Sequence, residues 1–163
     1  MRPLGSETQY PVLRSSVDPN SEEYQQNREA NEESLQKMND LLAEARKGGG
    51  EKYIKRFRDK GKLLPRERIE MLIDRDSHFL EISPLAANGM KGMTPGAGVI
   101  GGIGTVSGVE CMITASDATV KGGAVNEMGV KKTNRLADIA EENELPGISL
   151  IESAGADLPN QSK

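Results

Sequence analysis

Residues 99–123, VIGGIGTVSGVECMITASDATVKGG, predict two strands joined by a tight turn and followed by a glycine-containing loop. Residues 99–106 are rich in β-branched residues and glycine, and Ser107-Gly108 supplies the turn. Apolar and mixed positions alternate in residues 109–115, so one face of the second strand can pack inward. The segment therefore predicts a β-hairpin.

The hairpin leads into a loop that ends in paired glycines, Thr119-Val120-Lys121-Gly122-Gly123. Glycine has no side chain, so the backbone N–H groups of Gly122 and Gly123 can approach a ligand closely. The ammonium group of Lys121 suits a phosphate or a carboxylate. We therefore expect a ligand-binding loop at this position.

A helix over residues 128–143 and a buried strand over residues 148–151 are predicted next, which gives a βαβ unit. Basic residues near the start of this helix are expected either to face a ligand at the glycine loop or to be solvated. These residues are Lys131, Lys132 and Arg135.

A second candidate loop, residues 152–158, follows the last predicted strand. Open α/β sheets hold ligands at the carboxyl ends of their strands, so this loop is a candidate binding segment or, alternatively, only a tight turn. The sequence predicts no general base: Asp117, Glu152 and Asp157 have no evident partners, and His78 is expected to be structural.

Three motifs in order carry a resemblance to a known family: GKLLPRERIEMLID at 61–74, GVECMITASDATVKGG at 108–123 and LPGISLIESAGADLP at 145–159. Together they resemble the N-terminal part of the carboxyltransferase (β) subunit of biotin-dependent acyl-CoA carboxylases. The methylcrotonyl-CoA and geranyl-CoA carboxylases are the most similar branch. The resemblance extends over about residues 53–159.

The resemblance implies an α/β, crotonase-like (ClpP/crotonase) fold in which carboxybiotin carboxylates an acyl-CoA. It implies that backbone atoms bind the acyl-CoA at Gly122, Gly123, Ala154, Gly155 and Ala156. Preorganised N–H donors there would stabilise the enolate oxygen of the thioester. Contacts with CoA phosphates are expected from Lys121 and Lys131. No residue is assigned as catalytic, because biotin itself is thought to take the substrate proton in this family.

The implied partners are a biotin-carrying α subunit and further copies of the β subunit. The biotin is expected on the partner, since Met90-Lys91-Gly92-Met93 departs from the Met-Lys-Met sequence of biotin carriers by an inserted glycine. The 163 residues amount to a quarter to a third of such a subunit. We therefore expect a fragment that is inactive alone.

Three regions are predicted along the chain: a disordered segment over 1–20, a helical region over 21–75 and an incomplete crotonase-like domain over 76–163. The helical region contains predicted helices at 21–47, 51–59 and 66–74. The first has an apolar face, formed by Leu35, Met38, Leu41, Leu42 and Ala45. Residues 52–62 are strongly basic, which suits a CoA phosphate better than a nucleic acid.

Composition narrows the classes of function and of partner that fit the chain. The net charge of −4 argues against a general nucleic-acid partner, and no apolar run is long enough for a membrane span. The single cysteine, Cys111, lies in an apolar strand and is expected to be buried, in a reducing compartment. The bacterial cytoplasm and the mitochondrial matrix both fit. No cluster of metal ligands is predicted.

Two alternatives to a carboxyltransferase segment remain. The chain could be a non-catalytic assembly or interaction module that uses helix 21–47 and surfaces that are otherwise covered. It could also belong to another crotonase-type acyl-CoA enzyme, such as a decarboxylase, because such enzymes share the thioester-binding architecture.

Overall fold

A computed structural model describes residues 14–155. The chain divides into two units between residues 37 and 38. In the first unit, residues 14–20 form neither helix nor strand, and the remainder of the predicted 1–20 segment lies outside the described residues. Helix α1 (Glu22–Arg46) begins in this unit. The hydroxyl of Ser21 accepts a hydrogen bond from the N–H of Tyr24 and caps the first turn.

The second unit contains the end of α1 and two short helices, α2 (Glu51–Arg58) and α3 (Pro65–Leu72). All three predicted helices are confirmed, with ends that differ by at most two residues. In this unit, the predicted apolar face of α1 is largely uncovered: Ala45 is buried, but Met38 and Leu41 are 43% and 41% exposed. Helix α1 therefore owes little of its stability here to burial.

Within residues 14–155, four strands form one mixed sheet in the order β1-β2-β3-β4. They are β1 (Phe79–Glu81), β2 (Val99–Val106), β3 (Val109–Ser116) and β4 (Gly147–Leu150). Strands β1 and β2 and strands β2 and β3 pair antiparallel, whereas β3 and β4 pair parallel.

The predicted hairpin is confirmed as β2 and β3, with Val106 opposite Val109. The turn residues Ser107 and Gly108 both have positive φ, as a two-residue hairpin loop of the favoured twist requires. The carboxylate of Asp74 accepts hydrogen bonds from both of their N–H groups, each at 2.7 Å. The segment after α3 therefore closes the turn.

Helices cover both faces of the sheet. On one face, Ile69 of α3 packs in a buried cluster with Ile100, Ile113 and Cys111, which confirms the predicted burial of the cysteine. Side chains alternate between the faces of a strand, so Gly101 belongs to the opposite face, where buried Leu136 packs against it.

Leu136 belongs to helix α4 (Glu127–Glu142), which joins the parallel strands β3 and β4. The predicted βαβ unit is thus confirmed, with the predicted helix and strand each displaced by one residue. The side chain of Asn126 caps α4 by accepting a hydrogen bond from the N–H of Gly129 at 2.9 Å. Parallel pairing places the carboxyl ends of β3 and β4 at one edge, beside the start of α4.

Candidate functional site

A cleft of about 360 Å³ opens at this edge of the sheet. It lies between the carboxyl ends of β3 and β4, the first turns of α4, and the two predicted loops. Its walls are mostly apolar or small, with hydroxyl and amide groups from both sides. The lining residues are Gly98, Val99, Thr114, Ala115, Ser116, Gly123, Ala124, Val125, Asn126, Gly129, Val130, Thr133, Asn134, Ser149, Leu150, Ile151 and Ser153.

The glycine loop after β3 makes a tight turn over Lys121–Gly123. All three residues have positive φ, the backbone region that glycine adopts most readily. Gly123 is buried, and a Cβ atom built on it would collide with the carbonyl oxygen of Glu152. The absence of a side chain therefore lets the backbone of the glycine loop contact the segment after β4.

Backbone hydrogen bonds join the two predicted loops. The N–H of Ala154 donates to the carbonyl oxygen of Gly122 at 3.0 Å, and the N–H of Val125 donates to that of Gly155 at 2.9 Å. The structure thus brings together four of the five predicted backbone residues, Gly122, Gly123, Ala154 and Gly155. The fifth, Ala156, lies outside the described residues.

The amide groups of the second loop are engaged within the protein. In addition to the Ala154 contact, the N–H of Gly155 donates to the hydroxyl of Ser153 at 3.0 Å. This bond is local and exposed. The Ala154 bond instead holds the loops together. Direct contact of either residue with a thioester stays a prediction.

Glu152 stands at the start of the second loop, and the expectation that it lacks partners is wrong. The hydroxyl of Ser116 donates to its carbonyl oxygen at 2.9 Å and accepts from its N–H at 2.6 Å. Its side chain forms an ion pair with Lys62, from the linker between α2 and α3. Sequence reasoning missed these contacts because the partners are 36 and 90 residues away.

Asp117 has partners as well, which corrects the same expectation. Its carboxylate accepts hydrogen bonds from the N–H and the hydroxyl of Thr119, at 2.9 and 2.5 Å. The hydroxyl oxygen of Thr119 accepts in turn from the N–H of Gly49 at 2.9 Å. Both acid and threonine are buried. The start of the glycine loop is therefore tied to the break between α1 and α2.

This contact requires close packing at Gly49. A Cβ atom there would collide with the carbonyl oxygen of Thr119. The sequence indicated a helix break at residues 48–50 and carried no sign of what lies against it. The break is thus also a docking point for the loop that leads to the cleft.

Lys132 does not take either of the roles expected for it. The residue is only 6% exposed, and its ammonium group donates to the carbonyl oxygen of Val99 at 2.6 Å and, more weakly, to that of Gly96 at 3.4 Å. Burial lowers the pKa of the Lys132 ammonium to about 8. The lysine is neither solvated nor directed at the glycine loop. It fastens α4 to the first residue of β2 and to the loop before that strand.

Lys131 lies on the exposed side of the first turns of α4, next to the cleft-lining residue Val130. Its ammonium group forms an ion pair with Glu127 at 2.7 Å, and this hydrogen bond lowers the pKa of the Glu127 carboxyl. Arg135, one turn further along, lies 3.8 Å from the carboxylate of Glu142. A phosphate near this helix end would compete with Glu127 for Lys131.

Residues 14–155 lack two other kinds of functional feature. This part of the chain holds no group of three or more histidine, cysteine, aspartate or glutamate side chains that could bind a metal ion. Within the same range, no helix combines the length and the apolar character needed to cross a bilayer.

Comparison with known protein families agrees with this geometry, in which the glycine loop and the loop after β4 lie at the ends of parallel strands. The profile of the carboxyl transferase domain family matches residues 56–163. The chain belongs to this family. The resemblance inferred from the three motifs is confirmed, and so is the fold class.

Among curated members of the carboxyl transferase domain family, the chain is 51% identical over 152 residues to a probable biotin-dependent acyl-coenzyme A carboxylase beta2 subunit of Mycobacterium tuberculosis. It is 44% identical over 153 residues to a probable mitochondrial methylcrotonoyl-CoA carboxylase beta chain of Drosophila melanogaster. These alignments cover 93% of this chain and 28% and 26% of the relatives. The chain thus spans about a quarter of their length.

Solved carboxyltransferase structures agree with the fold. The geranyl-CoA carboxylase beta subunit of P. aeruginosa matches with a TM-score of 0.70 and 41% identity, over 92% of this chain and 28% of that one. The transcarboxylase 12S hexamer with methylmalonyl-coenzyme A bound matches with a TM-score of 0.72 and 27% identity. This match covers 80% of the present chain and 27% of the transcarboxylase chain.

Proposed function

We propose that this chain supplies one side of the acyl-CoA site of a carboxyltransferase, which moves a carboxyl group from carboxybiotin to an acyl-CoA of the 3-methylcrotonyl-CoA type. The observation that carries the proposal is the cleft at the ends of β3 and β4, where the glycine loop and the loop after β4 are hydrogen-bonded together. Two relatives, one of Drosophila melanogaster and one of Mycobacterium tuberculosis, are named as beta subunits of methylcrotonyl-CoA carboxylases, which supports this choice of acyl group.

In this proposal the backbone of the two loops holds the thioester. Carboxylation at carbon requires loss of a proton from the acyl group, and negative charge then develops on the thioester oxygen. Fixed N–H donors stabilise that charge most when the protein already holds them in place. Gly122, Gly123, Ala154, Gly155 and Ala156 are the proposed contact surface, with the N–H of Gly155 exchanging its bond to Ser153 for one to the ligand.

The CoA phosphates would lie toward the amino end of α4. A helix amino terminus favours anions, and Lys121 and Lys131 are the proposed cationic contacts. Carboxybiotin is a substrate delivered by a biotin-carrying α subunit, and further β subunits complete the assembly. The compartment is proposed to be the bacterial cytoplasm or, alternatively, the mitochondrial matrix.

Calorimetric titration of the full chain with 3-methylcrotonyl-CoA tests the proposal. The informative variant is Val130→Glu, which places an anionic side chain at the edge of the cleft. Its matched control is Val109→Glu, the same change at the hairpin turn, far from the cleft. The two valines are similarly exposed, at 42% and 51%, so both variants should fold.

We expect saturable binding by the wild type and by Val109→Glu, and at least about tenfold weaker binding by Val130→Glu, a loss of about 1.4 kcal/mol. Equal weakening in both variants would place the ligand elsewhere. A wild-type chain that is folded by circular dichroism but binds no acyl-CoA would contradict an acyl-CoA site in this chain and favour an assembly role.

A further inference from the structure

The ladder between β3 and β4 ends where the cleft begins. The last paired residues are Ala115 in β3 and Leu150 in β4, and the backbone pairing of the two strands ends there. Ser116 is the final residue of β3, and its side chain contacts Glu152, two residues past the end of β4. A side-chain hydroxyl thus occupies the position where backbone pairing stops.

The Ser116 hydroxyl satisfies both backbone groups of Glu152. It accepts from the N–H at 2.6 Å and donates to the carbonyl oxygen at 2.9 Å. Removing the hydroxyl would leave a half-buried donor and acceptor without this partner, which costs more than the net value of either bond. A hydroxyl that bridges both groups of one residue restricts that residue's backbone strongly.

Three further contacts depend on where Glu152 lies. Gly123 packs against its carbonyl oxygen, Lys62 pairs with its carboxylate, and two residues later Ala154 donates to Gly122. Ser116 lines the cleft, as Gly123 does, and it contacts Glu152 from the last position of a strand of the sheet.

We propose that Ser116 is a positioning residue that sets the separation of the two cleft loops through Glu152. The inference rests on the proposed acyl-CoA site for its functional consequence, and on the hydrogen bonds alone for its structural one. Ser116 acts through Glu152 and the loop that follows, and it has no assigned part in the chemistry.

Amide hydrogen exchange of the full chain, read over residues 150–155, tests the structural part. We expect Ser116→Ala to exchange roughly tenfold faster there, as the loss of a hydrogen bond allows, and Ser116→Thr, which keeps the hydroxyl, to resemble the wild type. The control is Ser77→Ala, which removes a hydroxyl that donates to the carbonyl oxygen of Asp74, near the hairpin turn. This control should leave exchange over 150–155 unchanged.

Titration with 3-methylcrotonyl-CoA tests the consequence for the site. We expect Ser116→Ala to bind roughly tenfold more weakly and Ser116→Thr to restore binding. Unchanged exchange in Ser116→Ala, or faster exchange with unchanged affinity, would overturn the positioning role. If the wild type binds no acyl-CoA, the proposed function fails, and the exchange result still decides whether Ser116 holds the loop. If Ser116→Ala does not fold, Ser116→Cys gives the same comparison at nearly the same volume.

Discussion

The backbone N–H of Ala154 donates a hydrogen bond to the carbonyl oxygen of Gly122, 3.0 Å away, and ties the loop after β4 to the glycine loop after β3. The two residues are 32 positions apart in the sequence, and helix α4 lies between them. Because of this contact, a change in either loop is expected to alter the other.

Gly123→Ala should destabilise the protein and disturb the cleft. The substitution places a Cβ at positive φ and drives it into the carbonyl oxygen of Glu152. The strain of a non-glycine residue in this region is about 1–3 kcal/mol, and the collision adds to it. Urea denaturation measures the loss in the free energy of unfolding.

The control is Gly108→Ala, which has nearly the same φ, +79° against +74°, but no atom within 4 Å of the new Cβ. The loss of stability in Gly108→Ala therefore measures the backbone strain alone, without a collision. Equal losses in the two variants would contradict the close contact between Gly123 and Glu152.

Thr119→Val should destabilise the start of the glycine loop. Valine keeps the shape of threonine but deprives the N–H of Gly49 and the carboxylate of Asp117 of a buried partner. We expect a loss of roughly 1–3 kcal/mol in the free energy of unfolding, with Thr119→Ser retaining most of the wild-type value. A Thr119→Val variant as stable as Thr119→Ser would show that the hydroxyl does not fasten the loop.

The buried Lys132 predicts a pH-dependent stability. Its pKa is about 8 in the folded protein against an ordinary 10.5, so the unfolded chain binds more protons between these values. The contribution of this group to the free energy of unfolding therefore rises with pH across that window. Relative to Lys132→Met, the wild type should gain roughly 2 kcal/mol between about pH 7 and about pH 9.5.

Urea denaturation at both pH values measures this gain. Lys131→Met is the matched control, because it makes the same change at the exposed neighbouring residue. If the stability of the wild type relative to Lys132→Met does not rise with pH, or if it rises equally relative to Lys131→Met, the effect of burial on Lys132 is contradicted.

Glu127→Gln should strengthen acyl-CoA binding if Lys131 contacts a CoA phosphate. The substitution removes the carboxylate that now pairs with the ammonium group at 2.7 Å, which leaves the lysine available to an anionic ligand. We expect a several-fold lower Kd in calorimetry at low salt, and a several-fold higher Kd for Lys131→Met. Glu141→Gln, an exposed charge change near the end of α4, is the control. Equal affinities of all variants for acyl-CoA would contradict a contact between Lys131 and a CoA phosphate.

Local patterns predicted most of the fold. The hairpin at residues 99–116, the helix between β3 and β4, and the position of both loops at the ends of parallel strands all follow from periodicity and turn residues. The resemblance of three motifs then predicted the family. Two expectations were wrong. The carboxylates of Asp117 and Glu152 have partners, and Lys132, which was expected to face a ligand at the glycine loop or to be solvated, is buried.

By itself, the sequence determined which segments form helices, strands and turns, because those choices depend on neighbouring residues through backbone sterics and the spacing of apolar side chains. Only the tertiary structure decided which polar groups meet. Gly49 contacts Thr119, Ser116 contacts Glu152 and Lys132 reaches Val99 across separations of 33 to 70 residues. Such contacts leave no periodic signal, since each partner's local preference is unaffected by a residue that only folding brings near.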